Sequence, residues 1–231
     1  MKLLPWEKLP EQFQVPEVRP YYDILYRRRF SLVLKRAFDL LAGAVLTLLL
    51  LLPMGVIAVL IKLDSRGTVF YRQERVTAYG KRFRIHKFRT MVSDADRIGS
   101  AVTVSHDDRV TRIGRTLRKY RLDELPQLFD VLKGDMSFVG TRPEVPKYVK
   151  RYTPEMRATL LLPAGITSEA SIRYKDEERL LSAADDVDLV YTLQVLPEKM
   201  KWNLDSIRTF SLGAELRTML RTVLAVLGKD E

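Results

Sequence analysis

The six residues Leu122-Asp-Glu-Leu-Pro-Gln127 place two adjacent carboxylates, Asp123 and Glu124, just after Arg115, Arg118, Lys119 and Arg121. Adjacent acids beside clustered cations suit phosphoryl chemistry. An ionised carboxylate serves as nucleophile or Mg²⁺ ligand, and the cations neutralise phosphate charge. Pro126 is tolerated in a helix only in the first turn. The sequence therefore predicts a helix starting near Asp123, with Asp123 as N-cap and Glu124 beside the positive end of the dipole. Capping alone would explain an aspartate there; the basic neighbours add the chemical reading. Two more basic groups stand at Lys87-Phe-Arg-Thr-Met91 and Gly140-Thr-Arg-Pro-Glu144. In the second, Arg142 sits in a rigid loop suited to bidentate phosphate recognition, although surface Lys and Arg also serve solubility alone. His86 and His106 lack metal-ligand spacing and read as satisfied surface or core residues. No GxxxxGK[ST] loop, GxGxxG fingerprint or GxSxG elbow occurs.

The elements that must hold these residues begin with an apolar run. From Leu40 to Ile61 no residue is charged, long enough for a membrane segment and too late and too long for a secretory signal. Pro53 interrupts it, and cations flank both ends: Arg27, Arg28, Arg29, Lys35 and Arg36 before, Lys62, Arg66, Arg72 and Arg75 after. A straight transmembrane helix and a buried soluble helix both fit the length. The same-sign flanks favour a third arrangement, a helix–break–helix that enters and leaves by one leaflet. The first 26 residues, with four prolines, read as an extended or partly helical extension. Thr68-Val-Phe-Tyr-Arg72 and Arg82–Arg89 read as two strands joined through Ala78–Lys81. Ser93–Asp108 reads as mostly loop. Helical periodicity returns at Ile113 and Leu117, and again from Asp123 to a C′ glycine at Gly134. Leu212, Leu216, Met219, Leu220, Val223, Leu224 and Leu227 form one helical stripe, which fits core packing or a place in the membrane interface.

Composition narrows the partners. The 231 residues carry a net charge of +10, are 46% hydrophobic and include no cysteine. That excludes a disordered basic tail, a disulfide scaffold, Cys-type zinc sites and a thiol nucleophile. Residues 27–36 contribute +5 and residues 62–89 contribute +7, so the excess positive charge lies on the two shoulders of the apolar run. That placement suits anionic headgroups and phosphorylated substrates.

Five motifs in order, Lys35-Arg-Ala-Phe-Asp39, Lys87-Phe-Arg-Thr-Met91, Leu122–Gln127, Gly134-Asp-Met-Ser-Phe-Val-Gly140 and Arg142-Pro143, resemble the bacterial sugar transferases, the monotopic phosphoglycosyl transferases. The resemblance covers about residues 35–170. It implies transfer of a sugar 1-phosphate from a UDP-sugar to undecaprenyl phosphate with release of UMP, at the cytosolic face of the bacterial inner membrane, as the first membrane step of surface glycan assembly. It also implies a re-entrant helix broken at Pro53. Residue by residue, Asp123 would be the nucleophile that forms an aspartyl phosphosugar intermediate. Glu124 would help hold Mg²⁺ or manage a proton, with Asp123 and Glu124 as the metal-binding pair. Lys87, Arg89, Arg118 and Arg142 would bind substrate phosphates.

Thr141 stands where many members carry proline, Leu52 precedes Pro53 where a serine is frequent, and Thr167-Ser-Glu-Ala-Ser171 replaces the usual Thr-Gly. These departures suggest a subgroup with its own sugar preference.

The expected architecture is α+β and helix-dominated, with a small β element and a monotopic membrane segment. Its expected parts are an extension (1–34), a re-entrant helix (35–62), a catalytic domain (63–190) and an amphipathic helical segment (191–231). Anionic membrane lipids are expected partners and nucleic acid is not. The competing reading is a non-catalytic, membrane-tethered basic module for anionic lipid or nucleic acid, which leaves Asp123 and Glu124 without a task.

Overall fold

A computed structural model describes residues 1–93, 95, 107–174, 181 and 186–226. His106, Leu227 and most of the Ser93–Asp108 stretch lie outside them. The N-terminal extension forms two 3-10 turns and helix α1 (Arg19–Arg27). It buries Leu9, Phe13, Val18, Tyr21, Tyr22 and Leu25 in a cluster shared with Tyr148, Tyr191, Met200 and Leu204. Helix α2 then runs unbroken from Arg29 to Asp64, with Pro53 inside it. Its 36 residues span about 54 Å at the helical rise. The break expected at Pro53 is a single missing N–H within a continuous helix, wider at both ends than 35–62.

Only one stripe of α2 is covered: Leu32, Lys35, Asp39, Gly43, Met54, Ile57 and Ile61. Leu41, Leu48, Leu49, Leu51, Leu52, Val56 and Val59 face outward, and 11% of the most apolar window is buried. A buried soluble helix is therefore excluded. Both ends of the stripe rest on the same globular body. Near the start, Arg36 donates to the carbonyls of Val131 (2.7 Å) and Leu132 (3.2 Å). Asp39 accepts from Ser137 Oγ (2.8 Å) and Phe138 N–H (3.3 Å). Near the end, Met54, Ile57 and Ile61 pack with Phe88 and Leu117, and Asp64 accepts from Ile113 N–H at 2.9 Å. The Lys35–Asp39 motif is thus a docking surface. Lys35 pairs with Glu215, Arg36 caps a helix C-terminus, and Asp39 holds a strand.

Strands β1 (Phe70–Val76) and β2 (Arg82–Phe88) form the expected antiparallel hairpin, with Phe70 opposite Phe88 and Val76 opposite Arg82. The first strand is shifted toward Val76. Tyr71, Gln73 and Arg75 fall on its half-buried face and Phe70, Arg72 and Glu74 on its exposed one, as a two-stranded ribbon permits. The turn needs positive φ at Tyr79 (56°) and Gly80 (78°). Helix α3 (Arg112–Lys119) follows, capped by Thr111, and then a 3-10 turn Leu122–Glu124. Helix α4 (Gln127–Lys133) ends at Gly134 with φ 93°, the predicted C′ glycine.

A second sheet, absent from the sequence expectation, pairs β3 (Met136–Val139) in parallel with β4 (Ala164–Thr167) across a crossover carrying α5 (Pro146–Val149). Among the described residues the further helices are α6 (Glu169–Arg173), α7 (Val187–Val190), α8 (Leu196–Arg208) and α9 (Leu212–Val226), with a π turn Tyr191–Val195 before α8. The architecture is α+β and helix-dominated, with one long apolar helix that fits a monotopic membrane protein.

Helix α9 corrects the core-packing expectation for its stripe. It docks by its polar side: Glu215 to Lys35, Thr218 to Glu169 (3.1 Å), Arg221 to Glu169 (2.6 Å) and Thr222 to Thr167 (2.7 Å). Leu216, Leu220 and Val223 are 53%, 62% and 56% exposed. Among the described residues of the named stripe, Met219 packs against the Phe83–Phe138 cluster.

Candidate active site

Three elements converge on the Asp123–Glu124 pair. Helix α3 lies so close to the end of β2 that a Cβ on Gly114 would sit 2.1 Å from the Thr90 carbonyl oxygen. Its last turn carries Arg118. Arg121 then adopts a left-handed backbone (φ 54°) and swings the chain into the Leu122–Glu124 turn. Asp123 caps nothing. The α4 cap position falls on Pro126, and the 3-10 turn points Asp123 and Glu124 inward, each 9% exposed. The N-cap expectation fails because the left-handed residue and the following proline displace the cap position by three residues, from Asp123 to Pro126.

The second element is β2, whose Lys87 donates from Nζ to Glu124 Oε1 at 2.8 Å. The third is the loop after β3. There Arg142 donates from Nη2 to the same Oε1 at 2.6 Å and from Nη1 to Oε2 at 3.4 Å. Glu124 is thus held by two cations, and no hydrogen bond reaches the Asp123 carboxylate among the described residues. Electrostatics follow that asymmetry. Burial works to raise the Glu124 pKa, but Arg142 and Lys87 together outweigh it and hold the carboxyl well below the usual range. Burial raises the Asp123 pKa, opposed by Lys87 and reinforced by Glu124, with Arg121 and Arg118 favouring the anion from farther away. Burial also depresses the Lys87 ammonium, against the attraction of Glu124.

Lys87, Glu124 and Arg142 are brought into direct contact beside Asp123, and Arg118 acts on it through its charge. Arg89 goes elsewhere. Its guanidinium donates to the Ser65 carbonyl at 2.8 Å and to that of Arg66, tying down the chain that leaves α2. Neighbours on a strand point to opposite faces, and Arg89 is an even step from Lys87, but β2 ends between them at Phe88. His86 is satisfied, as expected. Asp130 accepts its backbone N–H (2.8 Å) and meets its Nδ1 (2.7 Å). No cluster of three or more His, Asp or Glu side chains forms a metal cage among the described residues. Two acids that entered the sequence reading only as members of motifs, with no role of their own, are buried next to the site's elements: Asp39, beneath β3, and Glu144, behind Arg142.

Comparison with known proteins shows the family. The pattern of the family described as "Bacterial sugar transferase" matches residues 30–229. The chain is 38% identical over 199 residues to a UDP-glucose:undecaprenyl-phosphate glucose-1-phosphate transferase of Caulobacter vibrioides, covering 85% of this chain and 70% of that one. It is 36% identical over 197 residues to a UDP-N-acetylgalactosamine-undecaprenyl-phosphate N-acetylgalactosaminephosphotransferase of Aeromonas hydrophila (84% and 44%). It is 33% identical over 220 residues to a UDP-glucose:undecaprenyl-phosphate glucose-1-phosphate transferase of Escherichia coli K12 (94% and 44%). The chain spans less than half the length of the last two. With a family match over most of its length, this chain belongs to the bacterial sugar transferases.

Proposed function

We propose that this protein moves a sugar 1-phosphate from a UDP-sugar to undecaprenyl phosphate, releasing UMP, at the cytosolic face of the bacterial inner membrane. One observation carries the reading. In a buried acid pair, Glu124 is held by Lys87 and Arg142 while the Asp123 carboxylate accepts no hydrogen bond among the described residues. In the first step an Asp123 oxygen attacks the sugar-bearing phosphorus, the bond from that phosphorus to the bridging oxygen breaks, and UMP leaves. In the second an oxygen of undecaprenyl phosphate attacks the same phosphorus and Asp123 departs as carboxylate. Such transfer rests on positioning and charge neutralisation, which Lys87, Arg142 and Arg118 supply.

The donor set also fits Mg²⁺, which is commonly held by one or two carboxylates and completed by substrate phosphates. Asp123 and the less engaged Oε2 of Glu124 would hold it, and the ion would supply further neutralisation of the diphosphate. Two apolar surfaces support the membrane assignment. Helices α2 and α9, each with an apolar outward face, are joined through the Lys35–Glu215 pair, and both ends of α2 rest on one body. A non-catalytic basic module would not need the Glu124 clamp.

The test is UMP release from purified protein given Mg²⁺, undecaprenyl phosphate and a panel of UDP-sugars. Asp123→Asn is expected to abolish turnover and any covalent phosphosugar adduct. Adduct formation by that variant would move the nucleophile elsewhere, and no UMP from any donor would overturn the reading.

A further inference from the structure

Arg142 owes its position to a loop pinned on both sides. On one side Gly140 N–H donates to the Thr167 carbonyl at 3.0 Å and Gly165 N–H to that of Thr141 at 2.9 Å. On the other, Arg75 Nη1 donates to the Pro143 carbonyl at 3.1 Å and Val76 N–H to that of Glu144 at 3.0 Å. The Glu144 side chain then runs inward and is 6% exposed. Its Oε1 accepts from the Tyr191 hydroxyl at 2.5 Å and lies 3.7 Å from Lys199 Nζ, which itself donates to Tyr191 Oη at 3.2 Å. Tyr191 and Lys199 are also buried, and the Tyr148 ring packs against Tyr191 with centroids 4.6 Å apart.

Two features separate this cluster from ordinary packing. A buried ion pair is a weak source of stability, because apolar residues of the same volume commonly serve as well or better. What an ionic cluster adds is direction, since its geometry is satisfied in one arrangement only. The second feature is the π turn Tyr191–Val195, a costly backbone form that concentrates at functional sites. Tyr191 is its first residue, and the widened turn brings its hydroxyl to Glu144.

We propose that Glu144, Tyr191 and Lys199 are positioning residues that act through the Arg142 loop. They fix Pro143 and Glu144 so that the Arg142 guanidinium meets Glu124 and, on the function proposed above, the phosphates of the donor. All four residues flanking Arg142 are tied through their backbone, and Glu144 is tied twice, leaving the Arg142 side chain as the part of the loop directed at the dyad.

Tyr191→Phe removes one hydroxyl and leaves the ring packing. It is expected to lower kcat about 10- to 100-fold, with the donor KM within about twofold of the parent. In an Arg142→Ala background it should cause no further loss. Glu144→Gln, which keeps an acceptor for Tyr191, should retain more activity than Glu144→Ala. Hydrogen exchange reads the same loop without turnover: the amides of Gly140, Thr141, Arg142, Glu144 and Val145 should exchange faster in Tyr191→Phe while those of β2 do not. Unchanged exchange in that loop, or a rate loss that multiplies with that of Arg142→Ala, overturns the positioning role. If the parent releases no UMP, the catalytic reading falls and the exchange result still decides this one.

Discussion

Adding one methyl group where β3 and β4 cross should damage catalysis more than stability. A Cβ on Gly165 would lie 2.1 Å from the Gly140 nitrogen, 2.3 Å from its oxygen and 2.6 Å from its carbonyl carbon. All three atoms are backbone, so no rotamer change relieves the clash, and the strands must part by on the order of 1 Å. Overpacking of this kind costs about 1–3 kcal/mol. For a chain of this length that lowers Tm by roughly 2–12 °C. The displaced residue is Gly140, two positions from Arg142, and the lost register includes the Gly165–Thr141 hydrogen bond. A misplacement of about 1 Å at a catalytic group costs on the order of 10²-fold in rate. UMP release measured at least 10 °C below the variant's melting point should therefore fall about 100-fold in Gly165→Ala. Gly213→Ala is the control. Its Cβ meets nothing within 4 Å, and alanine favours the helix, so activity should hold and Tm should stay level or rise. Parental turnover by folded Gly165→Ala, or a deficit that disappears on cooling, would refute the link between this crossing and the Arg142 loop.

Lys87→Gln should move the acid limb of the kcat/KM profile to higher pH. Lys87 is the leading influence holding the Asp123 pKa down against burial, so its loss leaves Asp123 protonated over more of the acidic range. A limb that stays in place in a pH–rate series would separate Asp123 from the titrating group. Asp39→Ala strips the acceptor from buried Ser137 Oγ and Phe138 N–H and should cost about 1–3 kcal/mol, read as a lower Tm, with Asp39→Asn intermediate. Leu216→Glu with Leu220→Glu should leave the melt in detergent unchanged, because both side chains face outward. Fluorescence from a single cysteine label at Val223 should lose its quenching by brominated lipid in vesicles when those charges are introduced; retained quenching would argue against an interfacial α9.

The acid pair, two of its cations and the apolar run were legible because charge and hydropathy are local properties of the chain. What escaped depends on partners far away in sequence. Lys87 and Arg89 are equivalent as written, yet one meets Glu124 and the other the carbonyls after α2, a choice made by where β2 ends. The stripe on α9 identified an amphipathic helix correctly but left open which face docks. Glu169, Lys35 and Thr167 supply polar partners and turn the apolar side out. Strands β3 and β4 have four residues each, too short for a periodicity to register. Asp123 obeyed every rule for a cap except that Arg121 is left-handed, a conformation nothing in its side chain announces.

The clamp on Glu124 has a consequence for substrate binding. Lys87 and Arg142 are the cations best placed for a diphosphate, yet in this structure both face a carboxylate. On the function proposed above, an incoming donor must compete with Glu124 for them or share them with it. Glu124→Gln removes the competing charge and keeps the shape, so ground-state attraction between the donor and the two cations should increase. The same change removes the anion that keeps them aligned, along with one of the two oxygen pairs offered to a metal ion. The expected pattern is a lower KM for the UDP-sugar together with a kcat reduced by about 10²-fold or more, the signature of an interaction that opposes the ground state and assists the transition state. Initial-rate kinetics over a donor titration read both constants at once. A raised KM with unchanged kcat would mean that Glu124 contributes only to holding the donor, and the competition argued from the clamp would be wrong.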